Sequence, residues 1–151
     1  IFSKDTFYRL ENKTEWLDAI AASMNQTAQF MITDIVTVGD HTDESPLTKS
    51  WRSSESDLIH LWSLEKYNKY FGGKKLATLH APLDVTKNYC DAVVSGWWRA
   101  QQAMRKLKRS GDYEAELFDA LAQEAEVWAL RTAALQAGEL AVYRFYGNKA
   151  G

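Results

Sequence analysis

The sequence is poor in cysteine and proline and nearly balanced in charge, and each shortage closes off a class. One cysteine in 151 residues rules out an internal disulfide and any zinc site built on paired thiolates. Two prolines and eight glycines exclude collagen-like and low-complexity chains. With 18 basic and 20 acidic residues, a formal charge of −2, there is no general polybasic character for nucleic acid or membrane surfaces, although a local patch fits the count. No apolar run approaches the roughly 18 residues of a membrane-spanning helix. Phosphate-binding glycine motifs are also missing: Gly72-Gly73 followed by Lys74-Lys75 lacks the P-loop spacing and reads as a helix stop.

What is present is an apolar content of 46% with 13% aromatics, enough for one packed domain at this length. The chain starts at Ile1 rather than methionine, as expected of a processed or trimmed chain whose signal peptide, if any, is gone. Asn12-Lys13-Thr14 and Asn25-Gln26-Thr27 match the glycosylation acceptor pattern. Both fall in an expected helix rather than a surface loop, so they are discounted. The compartment stays open, with a cytoplasmic location or membership of an assembled particle favoured.

Periodicity predicts an all-α fold, an antiparallel four-helix bundle with a long C-terminal helical hairpin, filling residues 1–151 as a single helical domain. The helices are expected at about 13–36, 53–71, 84–110 and 112–146. Asn12 with Glu15 has capping-box spacing, and Leu17, Ile20, Met24, Ala28, Met31 and Ile35 follow at steps of three and four. Ile32 to Val38 is rich in β-branched residues and fits a strand as well as a helix. After a polar 39–50 loop, Ser53 or Ser54 is the expected cap of the second helix. Its residues Leu58, Ile59, Leu61, Trp62, Leu64, Tyr67, Tyr70 and Phe71 leave no wide polar face. Asp84 is the expected cap of the third helix, whose stripe is Tyr89, Val93, Trp97, Ala100, Met104 and Leu107. Leu121, Trp128, Leu135 and Val142 recur every seven residues along the fourth, which would be roughly 50 Å long.

Among the polar signals, Arg99, Arg105, Lys106, Lys108 and Arg109 form a basic run at the end of the third helix. Asp112, Glu114, Glu116, Asp119, Glu124 and Glu126 form an acidic one at the start of the fourth. Each sign suits its helix terminus, and the hairpin would lay the runs side by side. Of the tryptophans, Trp16, Trp62, Trp97 and Trp128 fit core faces, whereas Trp98 aligns with Val94, Gln101, Gln102 and Arg105 on an outer face. That patch resembles the Trp and Arg anchors of protein interfaces. Asp57 with His60 is a weak metal pair, and no Glu-x-x-His occurs, which excludes ferritin-like di-iron sites. Asp40, His41, Asp43 and Glu44 read as a solvated loop without calcium-loop spacing, and His41 and His80 have no ligand motif beside them. Cys90 lies near a helix start without a catalytic signature. Glu139 falls in the apolar stripe and, if buried, needs an arginine or tyrosine partner.

These signals favour a non-catalytic structural or interaction protein. It would self-assemble as a homo-oligomer, filament or virus particle, or dock on a protein partner through Val94, Trp98, Gln101, Gln102 and Arg105. Two alternatives compete. One is a nucleic-acid-binding module contacting phosphates through Arg99, Arg105, Lys106 and Arg109, with Trp98 as a stacking platform. The other is a small metal-dependent enzyme using His41, Asp43, Glu44 or Asp57 with His60. No cofactor is implied by any motif.

Overall fold

A computed structural model describes residues 1–73, 75–111 and 114–150. Its framework is a mixed six-stranded sheet, not a helical bundle. In chain order the elements are β1 (Phe2–Lys4), a 3₁₀ turn (Phe7–Arg9), α1 (Lys13–Ser23), β2 (Gln29–Thr37), α2 (Pro46–Ser54), β3 (Trp62–Ser63), α3 (Leu64–Phe71), β4 (Leu76–Thr78), β5 (Leu83–Asp84), α4 (Thr86–Ser110), α5 (Ala115–Gln136) and β6 (Leu140–Lys149).

The sheet is organised around β2 and β6, which pair antiparallel from Gln29↔Asn148 to Thr37↔Leu140. β1 and β3 take successive stretches of the outer edge of β2, both parallel to it, in registers Phe2↔Met31 and Val36↔Trp62. β4 and β5 do the same along β6, at Leu76↔Lys149 and Leu83↔Arg144, antiparallel to it. All strands but β6 therefore point one way, and their C-terminal ends share one edge of the sheet.

Two apolar cores lie on the two faces of this sheet. On one, Phe30, Ile32 and Val36 of β2 with Phe145 of β6 pack against Leu17 and Ala21 of α1 and Tyr67 and Phe71 of α3. On the other, Ile35 and Val142 meet Trp51 of α2, Tyr89 and Cys90 of α4, and Ala134 and Leu135 of α5. Gly147 fits where β6 crosses Phe30, because a Cβ there would collide with the Ala77 carbonyl and the Phe30 ring.

The expectation of an all-α bundle is thus overturned, and the failures share a cause. A strand buried on both faces loses the alternation that identifies strands and becomes a continuous apolar run. β2 is such a strand, so its Met31 and Ile35 seem to continue the stripe of α1, which stops at Ser23 with Met24 as its C-cap. Residues 13–36 therefore form a helix and a strand. Residues 53–71 divide among the end of α2, an extended stretch, β3 and α3, with Ser63 rather than Ser53 or Ser54 capping through its hydroxyl to the Lys66 amide. Only 84–110 is close to expectation, as α4; Asp84 accepts the Thr86 amide at 2.8 Å from just outside the helix. The expected 112–146 helix ends at Gln136, where Gly138 at φ 76 turns the chain into β6. Val142, the last member of the seven-residue series, is a strand residue. Asn12 precedes α1 without making a side-chain cap bond.

The α4–α5 hairpin is the one large helical unit, with α5 about 33 Å long rather than about 50 Å. Of the 25 residues of α4, only Tyr89 and Cys90 are buried, so most of the hairpin stands clear of the sheet. Among the described residues no helix is long and apolar enough to cross a membrane.

Candidate functional site

The first polar cluster grows from the end of β1. Asp5 adopts a left-handed backbone, φ 54, a conformation Asp tolerates better than most residues. Its amide still donates to the Thr33 carbonyl at 3.0 Å, so the chain leaves the sheet one residue after Lys4 and winds into the 3₁₀ turn. Asp34 of β2 holds that turn: its Oδ1 accepts the Tyr8 amide at 2.8 Å and its Oδ2 the Tyr67 hydroxyl at 2.7 Å. Burial raises the Asp34 carboxyl to about 7 against the pull of Tyr67 and Lys13. Burial likewise lowers Lys13 to about 8; its ammonium donates to the carbonyls of Leu10, at 3.0 Å, and His60.

Tyr8, fixed in this way, faces Arg131 of α5. The Arg131 guanidinium lies 4.2 Å from the centre of the Trp128 ring, 5.2 Å from Trp51 and 5.5 Å from Tyr8. Its ion-pair partner is Glu55, just after α2, and both side chains are only 4% exposed. Glu55 also accepts from Trp51 Nε1 at 2.7 Å and Arg9 Nη2 at 2.9 Å, and Arg9 pairs further with Asp57. Arg131 reaches the hydroxyls of Tyr89 and Tyr8 at 3.4 Å each. Stacking cations between aromatic faces and matching them to acids is how arginine is accommodated when desolvated.

Asp5 completes the cluster. Burial pushes its carboxyl up, against the attraction of Lys4 and Arg131 and a hydrogen bond with Tyr89. Burial, with the neighbouring Asp5 charge, in turn lifts Tyr89 to about 12. Asp5 Oδ1 is buried with no hydrogen-bond partner, and among the described residues no cation lies within ion-pair distance of Asp5. Beside it opens a cleft of about 390 Å³ lined by Tyr89, Ala92, Gly96, Trp97 and Ala100 of α4 and Trp128 of α5, among others. An acid with one oxygen unmatched, at the C-terminal end of a parallel strand and the mouth of an apolar cleft, can hold an N–H or O–H group of a small molecule. In open α/β sheets that edge is where ligands bind.

The residues singled out in the sequence lie elsewhere. Val94 and Trp98 are 57% and 62% exposed and border, with Gln101, a second apolar groove of about 770 Å³ between α4 and α5. Gln102 and Arg105 are exposed but do not line it. Arg99, Arg105, Lys106 and Arg109 are all exposed along the outer part of α4, where Arg99 donates to Ser95 at 2.8 Å. Of the acidic run, Asp112 lies outside the described residues.

Trp16 is 55% exposed rather than core. Asp57 is engaged by Arg9, and Arg52 draws in Asp43 and Glu44. Among the described residues no group of three His, Cys, Asp or Glu side chains could hold a metal ion. The Cys90 thiol is pushed up by burial and by Asp91, the reverse of a helix-activated nucleophile. Glu139 does find partners, though not an arginine or a tyrosine. It sits in the α5–β6 turn and accepts the Thr48 amide and hydroxyl at 2.8 and 3.0 Å and the Leu47 amide at 3.3 Å, so it caps the start of α2 from outside.

Sequence reasoning missed Asp5, Tyr8, Trp51, Glu55 and Arg131, and took Tyr89 and Trp128 for packing. One signal was available: Arg131 follows Trp128 by three residues, so both lie on one face of the helix, and Arg131 is the only basic residue in α5.

No family model and no curated protein matches the sequence. Solved structures do match its fold. Phosphoethanolamine N-methyltransferase 2 of Haemonchus contortus, in complex with phosphomonomethylethanolamine and S-adenosylhomocysteine, has a TM-score of 0.75 at 15% identity, covering 99% of this chain and 33% of that one. Geranyl diphosphate C-methyltransferase of Streptomyces coelicolor gives 0.66 at 6%, over 99% and 47%. An O-methyltransferase of a Brevibacillus brevis multienzyme, in complex with S-adenosylhomocysteine, gives 0.62 at 13%, over 99% and 43%. The chain spans about a third to a half of the length of these proteins. The fold is therefore the Rossmann-like one of S-adenosylmethionine-dependent methyltransferases. It overturns the expectation of a non-catalytic structural protein, which was read from a helical bundle.

Proposed function

We propose that this chain is the acceptor-facing part of an S-adenosylmethionine-dependent methyltransferase, with Asp5 as the group that holds the methyl acceptor. The observation that carries this reading is the coincidence of two features. The chain shares its fold over 99% of its length with methyltransferases, and the one buried acid oxygen without a partner among the described residues sits at the sheet edge where such folds bind ligands.

The residues present do not make a cradle for the methyl donor. No described parallel strand is followed by a glycine-rich loop, and the left-handed glycines, Gly39, Gly111 and Gly138, are scattered. A nucleotide-binding turn needs clustered glycines so that backbone amides can approach the ligand. The donor would be held by a part of the fold these residues do not form, and no step is assigned to it. What this chain can supply is orientation. Asp34, Lys13 and Tyr67 fix the turn after β1, Tyr89 links Asp5 toward Arg131, and Trp97 and Trp128 line the cleft with aromatic surface. The matching folds include N-, C- and O-methyltransferases, so the fold leaves the acceptor atom to the side chains of the cleft.

The test is methyl transfer by the native protein, read as S-adenosylhomocysteine formed with amine, hydroxyl and carbon-acid acceptors. Asp5→Asn is expected to lower kcat/KM by roughly 100-fold, the usual scale for losing a positioned acid or base, with Tyr89→Phe giving a smaller loss. Absence of product with every acceptor class, or an Asp5→Asn enzyme as fast as the parent, refutes the reading.

A further inference from the structure

Resting on that reading, we infer that the acceptor bound at Asp5 is a lipophilic amine, with its basic nitrogen on the Asp5 carboxylate and its apolar body in the cleft along α4. The cleft has a polar end and an apolar interior. Asp5 and Lys4 supply the charged part of its lining, and Ala92, Gly96, Ala100, Trp97, Trp128 and Leu121 the apolar part. The three small residues recur every four positions on one face of α4, so this face of the helix is a trough rather than a ridge. At Gly96 an added Cβ would meet nothing within 4 Å, which shows the trough to be open there.

The charge at the mouth selects the head group. Arg131 and Arg9 are already committed to Glu55 and Asp57, and Lys4, though adjacent, makes no ion pair with Asp5 among the described residues, which leaves Asp5 as the unmatched member. An ammonium completes that balance, and the electron-rich faces of the surrounding rings favour it further; before transfer its proton passes to the Asp5 carboxylate, which frees the nitrogen lone pair, and Asp5 then gives the proton up to water. Lys4 is the only cation in the lining among the described residues and is exposed. A phosphate-bearing acceptor would therefore meet no buried cation among the described lining residues to offset its loss of water. The cleft volume of about 390 Å³ lies in the range of small-molecule sites, which are mostly apolar with a few placed polar groups.

The experiment is a titration of the 151-residue chain, without methyl donor, by calorimetry and tryptophan fluorescence with octylamine, ethanolamine, phosphoethanolamine and octanoate. Octylamine is expected to bind at least tenfold more tightly than each of the other three. Asp5→Asn should cost tenfold for octylamine and remove its advantage over octanoate. Gly96→Leu, which fills open space on a helix and favours helix formation, should weaken octylamine binding while leaving the melting temperature unchanged or higher. Equal binding of octylamine and ethanolamine, equal binding of octylamine and octanoate, or octylamine affinity indifferent to Asp5→Asn would each overturn the inference. Because no donor is present, octylamine binding without methyl transfer would sink the catalytic reading alone, and transfer to acceptors with no amine or chain-length preference would sink this one alone.

Discussion

Replacing Arg131 with methionine tests whether the buried pair organises the site. The substitution keeps most of the side-chain volume between Trp51 and Trp128 and removes the charge. Breaking a buried pair by deleting one partner costs about 3–5 kcal/mol, because the other charge stays desolvated. Here Glu55 keeps two donors, Trp51 Nε1 at 2.7 Å and Arg9 Nη2 at 2.9 Å, so the loss belongs at the low end, about 3 kcal/mol. At roughly 2–4 °C per kcal/mol for a chain of this size, the melting temperature should fall by roughly 6–12 °C. The converse change, Glu55→Met, leaves Arg131 with only hydroxyls at 3.4 Å and an unpartnered Nε, so it should cost more, about 5 kcal/mol. The double variant should be less destabilised than the sum of the singles by about 2 kcal/mol or more, since it strands neither charge. Urea unfolding followed by tryptophan fluorescence and circular dichroism reads all three. An Arg131→Met protein within about 0.5 kcal/mol of the parent, or strict additivity in the double variant, would refute the picture of a desolvated pair.

Two further outcomes follow from other buried acids. Glu139→Ala should cost about 2 kcal/mol at neutral pH, as expected for the loss of a charged cap on a buried helix start. The Leu47 and Thr48 donors outweigh burial and hold the Glu139 carboxyl below its usual range. Its contribution is therefore present above pH 4.5 and lost on acidification; a gap between the two proteins that persists undiminished at about pH 3 would contradict this. Asp34 has the opposite sign. Its carboxyl is raised by burial from 3.8 toward 7, so the folded state binds the proton more tightly and the parent loses stability as pH rises through that interval. Asp34→Asn removes that slope, so its deficit against the parent should shrink between about pH 4 and pH 7 in urea melts. A constant or growing deficit would show that Asp34 is ionised throughout.

The exposed Trp98 patch shows how far surface reasoning from a sequence reaches. Trp98 was correctly placed on an outer face of its helix, because adjacent helical residues point about 100° apart. That geometry belongs to one helix alone. Its meaning depended on whether the remaining chain was a bundle or a sheet, and β2 and β6, the two strands that answer this, carry the weakest signals. Both are buried against neighbours on each side, and a heptad that runs into β6 at Val142 looks the same as one that stays helical.

Local chemistry was legible where it acted over one or two turns of chain: the helix at 84–110, the stops at Gly72 and Gly111, the need of Glu139 for a buried partner. These depend on backbone capping, glycine φ freedom and the cost of an unpaired charge, all of which act within the segment itself. The cluster around Asp5 was not legible, because it assembles Asp5, Tyr8, Glu55, Tyr89 and Arg131 from segments up to 126 residues apart. No spacing rule links them. They meet only because β1 ends one residue before Asp5, Asp34 pins the turn that follows, and α5 lays Arg131 across the same edge of the sheet. The sequence by itself determined which segments could be helical and which charges would need company; pairing of β2 with β6, a long-range choice, decided which of them met.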